Sequence, residues 1–86
     1  MYYTYVLKSK KTSLLYTGVT KDLRKRFLQH NLGQSTYTKG RGPFTIVYYE
    51  ASLNEEDAQA REKYLKSGMG KRYIKNRLKR FLSLTG

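Results

Sequence analysis

Phe44–Ala51 reads FTIVYYEA, an almost unbroken run of β-branched and aromatic residues and the clearest strand in the chain. Two shorter runs of similar character precede it, Tyr3–Lys8 and Leu14–Gly18. The polar stretch Ser9–Ser13 between them reads as a hairpin loop, which makes these two antiparallel neighbours. Three strands in 86 residues leave room for one small sheet and the helices that cover it. A single domain over residues 1–86 is therefore expected. A domain of this size buries only somewhat over ~60% of its unfolded surface, so its stability should be modest.

The segments between and after the strands carry helical spacing. Leu23, Phe27, Leu28 and Leu32 recur as the inward stripe of a first helix, with Thr20 as its N-cap and Asp22 in its first turn. Gly33 stops it. Gln34–Pro43 is a loop with Lys39, Arg41, two glycines and the only proline, and it lacks the spacing of a phosphate-binding P-loop. Leu53-Asn54-Glu55-Glu56-Asp57 gives a hydrophobic staple, a cap and an acidic first turn for a second helix. That helix should run to about Ser67 and break at Gly68-Met69-Gly70. A third, Arg72–Leu82, places Ile74, Leu78, Phe81 and Leu82 on one stripe. Its other side carries Lys71, Arg72, Lys75, Arg77, Lys79 and Arg80 with no acid between them. The expected fold is α+β: a three-stranded antiparallel sheet flanked by helices, in the order β-β-α-β-α-α.

Charge narrows the function. Eighteen Lys and Arg against six Asp and Glu give a net charge of +12, which predicts an anionic partner, most often nucleic acid. Lys39 and Arg41 in the loop, with Lys71, Arg72, Lys75 and Lys79 on the last helix, are the expected phosphate contacts. Membrane-surface binding is a weaker rival, because the core needs the apolar stripes. The chain has no cysteine and one histidine, so neither a disulfide framework nor a structural zinc site is available. No apolar run approaches the ~20 residues of a membrane span. The N-terminus does not read as a signal peptide, so a cytoplasmic protein is expected.

One carboxylate stands out. Asp22, Glu55, Glu56 and Asp57 fall in first turns of helices and Glu50 closes a strand, but Glu62 leans toward the apolar side of its helix. A carboxylate facing a core is costly unless paired or bound to a cation. Two readings fit: a structural one, an ion pair with an arginine such as Arg26 or a face still partly wet, and ligation of a hard cation such as Mg²⁺, which one or two carboxylates hold together with water and phosphate oxygens.

Tyr3-Thr4-Tyr5, Tyr16-Thr17-Gly18, Arg26, His30 and Glu62, in this order and spacing, resemble the GIY-YIG nuclease domain. The surrounding residues resemble most the small stand-alone bacterial type related to the nuclease domain of the excision-repair endonuclease UvrC. The name-giving triplets are altered: the first lacks its glycine, and Val19 stands where repair enzymes often carry lysine. A late asparagine of some members aligns with Asn76.

The resemblance implies hydrolysis of a phosphodiester with one divalent ion, Mg²⁺ or Mn²⁺, held by Glu62. It makes Arg26 the residue that offsets charge in the transition state and Tyr16 the general base. Tyr5 would hydrogen-bond or share that role, and His30 would relay a proton or orient Tyr16 or the phosphate. A tyrosine of pKa about 10 is only ~0.1% ionised at neutral pH, so a nearby cation or metal-bound water should lower it. Each residue also has a plainer role: Tyr5 and Tyr16 as core aromatics, His30 as a surface helical residue, Arg26 as a solvated charge, Gly18 as a turn. Two functions follow, an Mg²⁺-dependent endonuclease acting on DNA, or a catalytically silent nucleic-acid-binding module on a nuclease fold. RNA is open as a substrate, and targeting would need low selectivity or a protein partner.

Overall fold

The computed structural model describes residues 1–84. Its elements are β1 (Tyr2–Ser9), β2 (Leu15–Thr20), α1 (Leu23–Asn31), β3 (Phe44–Ser52), α2 (Glu55–Lys66), α3 (Gly68–Arg77) and α4 (Lys79–Leu84). The order is the expected one, with the final helical stretch divided at Leu78. The three strands form one antiparallel sheet in the order β2-β1-β3. The central strand is the most buried: Thr4, Tyr5, Val6 and Leu7 are all shielded from solvent.

Alternation along β1 divides the core between the two faces of the sheet. Tyr5 and Leu7 face α1 and cluster with Tyr16 and Phe44, and Leu23, Phe27 and Ile46 pack against them. Val6 faces the other way and joins Leu65 of α2 and Ile74 of α3. Thr4, on that same side, donates to the carbonyl of Ala58 at 2.9 Å and ties α2 to the central strand.

Helix ends explain where the structure departs from expectation. Thr20 does not cap α1. It is still paired with Tyr3, and its hydroxyl accepts from the amide of Asp22. Asp22 is the cap, accepting from the Lys25 amide at 3.0 Å. Leu28 and Leu32 are 57% and 61% exposed rather than core. The helix is turned so that Leu23, Phe27 and His30 point inward, which carries Leu28 and Leu32 away from the sheet. Gly33 ends the helix at φ +73, as expected.

Asn54 caps α2 by accepting from the amides of Glu56 and Asp57, but Leu53 is 85% exposed and staples nothing. Gly68-Met69-Gly70 is not a break. Ser67 alone makes the corner, ending α2 and capping α3 through its hydroxyl, which accepts from the Gly70 amide. A Cβ on Gly70 would overlap the carbonyl of Tyr64 and the Cα of Leu65. Glycine is therefore needed for the close approach of α3 to α2.

Candidate active site

The site forms where β1 and β2 meet α1. Tyr5 and Gly18 are paired across the two strands. The Tyr5 ring lies over Gly18 so closely that a Cβ there would overlap Tyr5 Oη and Cζ. The glycine of the second triplet thus opens the space that the first triplet's tyrosine occupies.

Tyr5 Oη lies 2.9 Å from His30 Nε2, and His30 Nδ1 lies 2.6 Å from Thr38 Oγ1. All three residues are buried. His30 is therefore not a surface residue, and the tyrosine it meets is Tyr5, not Tyr16. Burial, and then the nearby Arg26 cation, holds its imidazole below the ordinary value of 6.5. Burial raises the Tyr5 phenol, while the Arg26 guanidinium pulls it the other way by hydrogen bonding and charge. The net direction is upward, opposite to the lowering expected of a catalytic tyrosine.

Arg26 is half-buried on the same side of α1. It donates to Gln29 Oε1 at 3.1 Å and to Ser35 Oγ at 3.3 Å. It does not pair with Glu62. Among the described residues, Tyr16 Oη is the one buried side-chain polar atom without a hydrogen-bond partner. Its ring is held edge-on by Phe44 and Tyr37, with centroids 5.6 and 5.5 Å away. A buried hydroxyl left open beside a satisfied chain of polar groups is the kind of orphan that a substrate or water completes.

Tyr37 connects this group to α2. Lys66 Nζ sits 5.7 Å over the Tyr37 ring and 3.2 Å from Glu62 Oε2. Glu62 is half-buried and borders an open pocket of about 400 Å³ with Thr20, Lys21 and Gln59. The described residues contain no cluster of three or more His, Cys, Asp or Glu side chains that could enclose a metal. Glu62 and Glu55 both line that open, polar pocket, which nevertheless fits a hard ion that keeps most of its water.

The basic residues fall into two groups. Lys39 and Arg41 are exposed on the loop, and the Arg41 carbonyl accepts from Ser9 Oγ at 2.6 Å, which fastens that loop to β1. Lys71, Arg72, Lys75 and Asn76 line a pocket on α3, so Asn76 belongs with the cations and not with the Tyr5–His30 group. Lys71 also borders the groove beside Tyr37 and Lys66, while Lys79 is exposed on α4. Two residues of the site escaped the sequence, Thr38 and Tyr37, because the loop that carries them has no periodicity to read.

A small α+β domain thus places two tyrosines, a histidine and an arginine beside a glycine-opened strand pair, a set of polar groups suited to binding an anion. The model of the GIY-YIG catalytic domain matches residues 1–79, and the chain belongs to that family. It is 51% identical over 67 residues to a UPF0213 protein of Clostridium perfringens, covering 77% of this chain and 71% of that one. A UPF0213 protein of Staphylococcus saprophyticus is 43% identical over 67 residues, covering 77% and 80%. The solution NMR structure of a UPF0213 protein from Bacillus halodurans superposes with a TM-score of 0.53 at 36% identity, covering 86% of this chain and 82% of that one.

Proposed function

We propose that this protein is an endonuclease that hydrolyses phosphodiester bonds in DNA and depends on one Mg²⁺ or Mn²⁺ ion. The observation that carries the reading is the unpartnered, buried Tyr16 hydroxyl in the same core cluster as Tyr5, whose own hydroxyl joins the buried His30–Thr38 chain and feels the Arg26 cation. Family membership and the net charge of +12 supply the substrate class.

In this reading a water oxygen attacks phosphorus and the bond to the leaving oxygen breaks. Tyr16, acting as its phenolate, takes the proton that the water loses and becomes the neutral phenol, and the leaving oxygen is protonated from solvent. Arg26 offsets the charge that builds on the phosphoryl oxygens, where a fixed cation in a water-poor site acts most strongly. His30, neutral at physiological pH, holds the Tyr5 hydroxyl toward the phosphate. Glu62 would hold the ion, which when bound would supply Lewis-acid polarisation of the phosphate and stabilise the leaving oxygen.

A second reading, a silent nucleic-acid-binding module, is favoured by the Lys66–Glu62 ion pair, since the ammonium stands where a metal would. Glu62→Gln separates the two. Metal catalysis is worth several kcal/mol and each ~1.4 kcal/mol is tenfold, so nicking of supercoiled plasmid should fall by orders of magnitude. Mg²⁺ should raise the melting temperature of the wild type but not of the variant, while DNA affinity in EDTA holds or tightens. Normal nicking by Glu62→Gln would end the metal assignment. Nicking by neither protein would favour the binding module.

A further inference from the structure

The sheet face that carries the site is only half covered. Leu23 and Phe27 of α1 pack over Leu7, Tyr16 and Phe44. Tyr3 and Tyr49, on the same face, belong to neither buried cluster. Their rings meet edge-on with centroids 6.1 Å apart, and Tyr49 is 56% exposed. Together they border a groove of about 570 Å³, walled by Leu23, Phe27 and Ile46 and rimmed by Lys21 and Arg24.

We propose that this groove is a subsite for an unpaired nucleobase, stacked on the exposed Tyr49 ring with Tyr3 beside it, its flanking phosphate held by Lys21 and Arg24. An aromatic floor with a cationic rim is the pairing that single-stranded nucleic acid selects, because every base offers a π-face and every link a charge. The one carboxylate on the rim, Asp22, is engaged as the cap of α1. A second copy of this chain is a poor occupant, since each copy carries +12. The location also fits. Lys21 borders both this groove and the pocket of Glu62, so a strand crossing Glu62 reaches the aromatic floor past a single lysine. The inference rests on the nuclease reading only in taking the polymer to be nucleic acid.

The test uses the full chain in EDTA, with a short oligothymidylate and a duplex of matched length, read by fluorescence anisotropy and by NMR of the Tyr3, Tyr49 and Leu23 side chains. The oligothymidylate should shift those signals, and Tyr49→Ala should weaken its binding about five- to a hundredfold. Tyr49→Phe should bind as the wild type does, and duplex affinity should change little in any variant. If Tyr49→Ala does not fold, Tyr49→Leu carries the test, keeping apolar bulk without a π-face. Unchanged oligothymidylate binding overturns the proposal, as does an equal loss on duplex. So do concentration-dependent shifts at Tyr49 without nucleic acid, which would make the occupant a second copy. A protein that never nicks DNA but loses oligothymidylate affinity on Tyr49→Ala retains the groove and loses the nuclease. One that nicks normally and ignores the substitution does the reverse.

Discussion

Thr38 is fully buried, and the hydroxyl it places at His30 Nδ1 decides what the other ring nitrogen can do. If Nδ1–H donates to Thr38, Nε2 is free to accept from Tyr5; if the threonine donates, the direction reverses. Thr38→Val leaves a buried ring nitrogen without a partner, which costs about 1–3 kcal/mol, and Thr38→Ser should restore most of it. Nitrogen-15 NMR of His30 should show one dominant tautomer in the wild type and the serine variant, and a mixture in the valine variant.

The same histidine sets a pH dependence. Its folded pKa lies below 6.5, so between that lowered value and 6.5 the unfolded chain binds more protons than the folded one. Its contribution is full above about 6.5 and is lost as pH falls through the folded value. Denaturant midpoints measured down that window should therefore decline, and His30→Gln should flatten the decline. Tyr5, Tyr16, Arg26, His30 and Glu62 were legible in the sequence because a family pattern orders them. Their partners were not: the sequence leaves His30 to relay a proton or orient Tyr16 or a phosphate, and Glu62 to pair with an arginine or bind a cation, whereas Tyr5 and Thr38 meet His30 and Lys66 meets Glu62. Spacing identifies the face of an element and is silent on which neighbouring loop reaches it.

At the scale of elements, the helices on the far side of the sheet are joined by polar and aromatic contacts. Arg61 of α2 donates to Glu50 of β3 at 2.7 Å and lies over the rings of Tyr64 and Tyr73. Burial, with the Tyr73 hydroxyl and the Glu50 charge, pushes the Tyr48 phenol up to about 12. The α2–α3 corner depends instead on backbone contact. Gly70→Ala should push α3 off α2 and loosen Ile74, at about 1–3 kcal/mol as overpacking usually costs. Its denaturant midpoint should fall, while the NMR signals of Tyr5, Tyr16 and His30 stay near wild type, since those residues lie on the other face of the sheet. Strand positions, the Asn54 cap and the Gly33 stop could be read from local chemistry. The rotation of α1 could not, because a buried histidine displaced two leucines from the inward stripe, and hydrophobic periodicity counts leucines first.

For the whole molecule, the excess of twelve positive charges is the dominant long-range property. Described cations lie in the Lys39–Arg41 loop, along α3 at Lys71, Arg72 and Lys75, and on the groove rim at Lys21 and Arg24. Every phosphate such a surface neutralises releases counterion, so log K in EDTA should fall linearly with log[salt], by about 0.9 per phosphate on duplex and about 0.7 on a single strand. Lys71→Ala and Lys75→Ala should each lower the duplex slope by about one without changing any sequence preference, because a phosphate contact positions and does not specify. Affinity that stays flat with salt would contradict this account of the surface. An unchanged slope in both variants would instead remove α3 from the footprint and leave the loop and the groove rim to carry it.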